Sequence, residues 1–111
     1  MEQTQNQLPN RRQSSRHKIQ LRILFQRSGS AHFLNAETNN ISLDGVYIWT
    51  ERRPLDVGTD VSLLIRLGNV EKELMLQGVV TWVQHHQPTG MGIRFKDVDQ
   101  DSKKILSDAL Q

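Results

Sequence analysis

Apolar and polar residues alternate along most of this chain. Ile19, Leu21, Ile23 and Phe25 interleave with Gln20, Arg22, Leu24 and Gln26, the pattern of a strand with one buried face. Ser28-Gly29-Ser30 predicts a turn into a second, weaker strand over about 31–41. Leu43-Asp44-Gly45 predicts another turn, with Asp-Gly supplying positive φ. Val46 to Thr50 are all good strand formers, and Arg53-Pro54 ends that run. Val61, Leu63, Ile65 and Leu67 alternate again before a turn at Gly68-Asn69. Leu74, Leu76, Gly78, Val80 and Trp82 then share one face of a long strand, with Gly78 expected at a bend or bulge. Met91, Ile93 and Phe95 form a last short strand. Asp97, Asp99 and Asp101 precede Ile105, Leu106, Ala109 and Leu110, which predicts a C-terminal helix over about 100–110 with acids at its positive end. Six short strands separated by turns predict an all-β fold, a six-stranded antiparallel barrel, with the helix across one opening.

The length, 111 residues, is that of one domain. The first ten residues, rich in Gln and Asn, read as a disordered N-terminal segment, leaving 11–111 as the domain. The chain has no cysteine, which removes disulfides, thiolate metal sites and a cysteine nucleophile. No apolar run approaches the ~18 residues of a membrane span, and the polar start shows no signal peptide. The expected location is therefore cytoplasmic, away from the membrane.

The net charge of +2 hides an asymmetry: residues 1–36 carry +5 and residues 37–111 carry −3. Much of the excess lies in one run, Arg11-Arg12-Gln13-Ser14-Ser15-Arg16-His17-Lys18, which points to an anionic partner. Catalytic chemistry has no matching motif. There is no phosphate loop and no dinucleotide fingerprint, and no Ser, His and Asp are spaced as an activated nucleophile. His85 and His86 would point to opposite faces of a strand, which argues against a shared metal. The expectation is a protein that is not an enzyme and holds no metal or cofactor.

Two patterns remain. Arg12 and Arg16 lie before the first strand, with α-carbons up to about 13 Å apart in an extended segment. Their planar, permanently charged forks suit phosphate and guanine edges. At the turn between the second and third strands lies Asn40-Ile41-Ser42-Leu43-Asp44-Gly45. Asn40 and Ser42 would share one strand face, and Gly45 would permit close backbone approach.

Together these residues resemble the PilZ domain family, whose pattern is R-x-x-x-R followed by D/N-x-S-x-x-G. Arg12 and Arg16 match the first part, Arg11 supplies a further leading arginine, and Asn40, Ser42 and Gly45 match the second. Val80-Thr81-Trp82 and Gly92-Ile93-Arg94-Phe95 look like the family's late strands. The resemblance implies the same barrel and helix, and binding of the bacterial second messenger cyclic di-GMP. The arginines would grip phosphates and guanine edges, and Asn40 and Ser42 would meet a guanine on the barrel surface. A doubled leading arginine implies one or two ligands per chain, with Arg11 serving the second. It also implies an adaptor that signals to a protein effector. Trp82 could stack on a guanine, although its place in the row from Leu74 favours the core. The rival readings are a PilZ-type interaction module that needs no ligand, and a small basic nucleic-acid-binding barrel. The absence of any Phe, Tyr or Trp before Phe25 argues against the latter.

Overall fold

The computed structural model describes residues 21–67 and 72–110. Arg11, Arg12 and Arg16, the N-terminal segment, the start of the expected first strand at Ile19, and the Gly68-Asn69 turn lie outside the described residues. Six antiparallel strands, β1 (Arg22–Arg27), β2 (Leu34–Ile41), β3 (Gly45–Thr50), β4 (Asp60–Leu67), β5 (Lys72–Gln84) and β6 (Gly90–Lys96), are followed by one helix, α1 (Gln100–Ala109). Around the closed barrel the order is β1-β2-β3-β6-β5-β4, and β4 pairs back onto β1. Closure leaves no unpaired sheet edge.

The alternation read from the sequence forms the wall. Ile23, Val61, Leu63, Ile65 and Met91 point inward and are completely buried. Truncating one of these large side chains to Ala would remove roughly 2–5 kcal/mol. A closed wall admits a helix to its core only through an open end. Leu106, wholly buried, and Leu110 join that core, while Ile105 and Ala109 pack against it. Among the described residues no helix is long and apolar enough to cross a membrane.

The helix starts where the acids predicted. Asp99 is its N-cap, and its Oδ1 accepts a hydrogen bond from the Ser102 N–H at 2.7 Å. That bond stabilises the charged carboxylate and holds its pKa below the ordinary aspartate value. Its contribution is therefore present above the ordinary value and is lost as pH falls through the lowered one. Asp99→Ala is expected to lower the thermal midpoint at neutral pH, with the difference from wild type shrinking as pH falls below the ordinary aspartate value. Circular dichroism melts across that range would show a pH-independent difference if the cap carried no such linkage.

The strands depart from the sequence reading at Gly78, at the Asp44-Gly45 turn and at Trp82. Gly78 is no bulge: it stays in register opposite Phe95. A Cβ there would lie 2.5 Å from Ile93 Cγ2 and 2.8 Å from the Arg94 carbonyl oxygen, so the position is reserved by packing. Neither Asp44 nor Gly45 takes positive φ, which among the described residues falls at Gly29, Gly58 and Asp97. Lastly, Trp82 leaves the buried row and is 50% exposed. Its departure shapes the candidate site.

Candidate functional site

Two bulges set the outer face of the barrel. In β2, Ala36 and Thr38 point inward, so strict alternation would send Asn40 inward as well. Between Thr38 and Asn40 the register slips: Thr38 opposes Ile48, Asn40 opposes Tyr47, and Asn39 is the extra residue. Inward pointing resumes at Ile41, which is fully buried. Asn40 thereby stands outside, beside Tyr47. In β5 the same device acts on Trp82. Leu74, Leu76 and Val80 point inward, then Val80 opposes Ile93 and Trp82 opposes Gly92, with Thr81 extra. A bulge re-aims the side chains beyond it, and these two aim Asn40 and Trp82 at one surface.

That surface is an open cleft of about 560 Å³ over the β3–β6–β5 seam, with Asn40, Asp44, Gly45, Tyr47, Trp82 and Arg94 among its walls. The volume lies in the range typical of small-ligand sites. Its floor is built by glycine. Gly92 lies across from both Tyr47 and Trp82, and without a side chain between them the two rings approach to 5.1 Å at 53°. Tyr47 in turn meets Trp49 edge-on at 4.9 Å. Such tilted and edge-on pairs fix ring orientation. The Tyr47 hydroxyl is buried without a hydrogen-bond partner among the described residues, and burial pushes its pKa up.

The Asn40–Gly45 turn closes one end of the cleft. β2 stops at Ile41, so Ser42 does not continue the strand's alternation and does not share a face with Asn40. It is 3% exposed. Its N–H donates to the Gly45 carbonyl at 2.9 Å, and its Oγ accepts from the Asp44 N–H at 3.1 Å. The hydroxyl thus braces the turn from inside. The turn is fastened to β6 by the Phe95 N–H, which donates to the Asp44 carbonyl at 2.8 Å. Gly45 begins β3 opposite Arg94. A Cβ on it would run into the Ile93 carbonyl oxygen, with Arg94 Cα at 3.2 Å. Close backbone approach is what this glycine provides.

The described chain begins against the strand that carries Asn40. The Leu21 N–H donates to Thr38 Oγ1 at 2.7 Å, and the Leu21 carbonyl accepts from the Thr38 N–H at 3.3 Å. Leu21 is thereby tied to β2 two residues before Asn40. Sequence reasoning did not single out Tyr47, Asp44 or Arg94 as site residues. Arg94 was within reach, since Met91, Ile93 and Phe95 inward imply Gly92 and Arg94 outward. Its neighbours in the cleft become evident only once β6 is known to lie between β3 and β5. Among the described residues no group of His, Asp and Glu is arranged to hold a metal.

Compared with known proteins, the chain matches the PilZ domain family over residues 10–111. The chain belongs to the PilZ domain family. No curated protein sequence matches it. Among solved structures, the Bacillus subtilis inhibitor of motility (MotI/DgrA) superposes with a TM-score of 0.77 at 18% identity over 92% of this chain. This PilZ domain spans only 50% of that protein's length. The PilZ domain of YcgR from Escherichia coli, solved with c-di-GMP, gives 0.75 at 14% identity, covering 91% of this chain and 89% of that one. The PilZ domain of CeSA from a cellulose-synthesizing bacterium gives 0.67 at 14% identity, covering 87% and 95%. At these identities the likeness is one of fold.

Proposed function

We propose that this PilZ domain is a receptor for cyclic di-GMP that acts as an adaptor, without catalysing a reaction, by presenting a ligand-dependent surface to a protein effector. The carrying observation is the pair of bulges that turns Asn40 and Trp82 outward onto one cleft. The arginine run supports it by connectivity. Arg16 lies five residues before Leu21, a reach of at most about 18 Å, and Leu21 is anchored next to Asn40's strand. Arg12 and Arg16 supply the forks for phosphate and guanine, Asn40 hydrogen-bonds a guanine edge, and Trp82 offers its exposed ring for stacking. Ser42 and Gly45 act through the turn, the first by bracing it and the second by letting it approach β6. The solved YcgR PilZ domain with c-di-GMP is a relative in fold whose ligand agrees with this reading.

Isothermal calorimetry with cyclic di-GMP tests it, with GTP and cyclic di-AMP as controls. Micromolar or tighter binding is expected for cyclic di-GMP alone. A flat trace at high ligand concentration would favour an interaction module that needs no ligand. The ligand count is one or two per chain. If two bind, Arg11→Ala should reduce the number toward one in native mass spectrometry. Trp82→Ala is expected to weaken binding by about 1–3 kcal/mol, the usual contribution of one stacked base. Because the ring is half exposed, the same change should lower the thermal midpoint only modestly, through loss of the Tyr47 contact. Unchanged affinity in Trp82→Ala would remove stacking from the mechanism.

A further inference from the structure

One guanidinium on the barrel wall makes no side-chain polar contact among the described residues. The outward positions of β6 are Gly92, Arg94 and Lys96. Gly92 has no side chain, and Lys96 is committed to Asp60 through an Nζ–Oδ1 contact of 2.6 Å. Arg94 is exposed, lines the cleft, and makes no side-chain ion pair or hydrogen bond among the described residues. Its cross-strand neighbours are Gly45 on β3 and Val79 on β5, and neither offers a side-chain partner. By contrast, Arg66, at the corresponding outer position of β4, is bound to Glu73 across the strand pair.

The placement of Arg94 relative to Trp82 gives it a use. Trp82 opposes Gly92, and Arg94 is two residues further along β6, so the two are diagonal neighbours on one face. Diagonal neighbours on a sheet lie about 7–8 Å apart at Cα, within reach of long side chains. A base stacked on the Trp82 ring would turn its polar edge toward the Arg94 fork. Resting on the receptor reading above, we propose that Arg94 reads the O6 and N7 edge of the guanine stacked on Trp82, and so sets base specificity from the barrel wall. The fork of arginine matches those two acceptors in a bidentate pair. Adenine carries an amino donor where guanine has O6, and a donor facing a donor fork is unfavourable. Because Arg94 sits on a paired central strand, its backbone is fixed in register with the stacking ring, as reading one edge requires.

A double-mutant cycle between residue and ligand atom tests the assignment. Cyclic di-GMP and its 7-deazaguanine analogue, which lacks the N7 acceptor, are titrated by calorimetry into the wild-type protein, Arg94→Ala and Arg94→Lys. Arg94→Ala should weaken cyclic di-GMP binding by about tenfold or more. The analogue should bind the wild-type protein several-fold more weakly than cyclic di-GMP. In Arg94→Ala that penalty should shrink, because the partner of N7 is already gone. Arg94→Lys, which keeps the charge and loses the fork, should behave like the alanine variant. An equal analogue penalty in wild type and Arg94→Ala overturns the proposal, as does Arg94→Ala binding with wild-type affinity. Full recovery in Arg94→Lys would show a point-charge contact to phosphate and also overturn it. Failure of the receptor reading looks different: the wild-type protein then binds neither ligand.

Discussion

Gly45→Ala is expected to destabilise the domain by about 3 kcal/mol or more and to abolish the cleft with it. Overpacking a well-filled site typically costs about 1–3 kcal/mol when flexible side chains can yield. Here the added methyl group meets backbone: the Ile93 carbonyl oxygen first, then Arg94 Cα at 3.2 Å. Backbone within a paired strand does not rotate away, so relief requires β3 and β6 to separate. That seam carries five register pairs from Gly45–Arg94 to Trp49–Gly90. It also holds the link from the Phe95 N–H to the Asp44 carbonyl. Prising it open disturbs barrel closure and the cleft together. Chemical denaturation of the variant should show a lowered midpoint, and near-ultraviolet circular dichroism should show loosening of the Tyr47–Trp82 pair. A Gly45→Ala protein as stable as wild type would mean that the seam tolerates a side chain. The glycine of the Asn-x-Ser-x-x-Gly pattern would then need another explanation.

Arg16→Ala should have the opposite profile, with stability retained and ligand binding strongly weakened. Under the receptor reading, a charged, bidentate contact to a phosphate or guanine edge disappears. Charge-assisted bonds of this kind are the strong ones, and the partner is left desolvated and unpaired. A loss of about 2 kcal/mol or more is expected, near thirtyfold in affinity. Arg16 lies outside the described residues, so this prediction rests on the spacing Arg12-x-x-x-Arg16 and on the anchoring of Leu21 beside Thr38. Calorimetry with cyclic di-GMP measures the binding, and a thermal melt without ligand checks that the barrel is intact. Wild-type affinity in Arg16→Ala would reduce the arginine run to a solvated tail. The two variants separate what the turn glycine does, which is to let two strands meet, from what the arginine does, which is to hold an anion.

Much of this protein is legible in one dimension. Period-two alternation is a local property, because successive side chains on a strand point to opposite faces. Ile23 and Phe25, then Val61, Leu63, Ile65 and Leu67, then Met91, Ile93 and Phe95 therefore announced their burial directly. The acids Asp97, Asp99 and Asp101 announced the helix start, since a cap acts within three residues of itself, and the structure assigns the cap to Asp99. The arginine pair and the Asn40–Gly45 pattern carried the family, as fixed spacings of chemically distinctive residues do. What the sequence alone did not contain was the direction of Asn40 and Trp82. Each sits where alternation within its own strand points inward, and each is turned out by one extra residue, Asn39 or Thr81. A bulge is a mismatch in count between two paired strands, so neither strand shows it by itself. The cleft also needed β6 placed between β3 and β5, a neighbourhood made by barrel closure across long stretches of chain. Local sequence thus determined which residues are apolar walls and which are available for chemistry. Strand pairing, a long-range property, decided which of the available residues face one another.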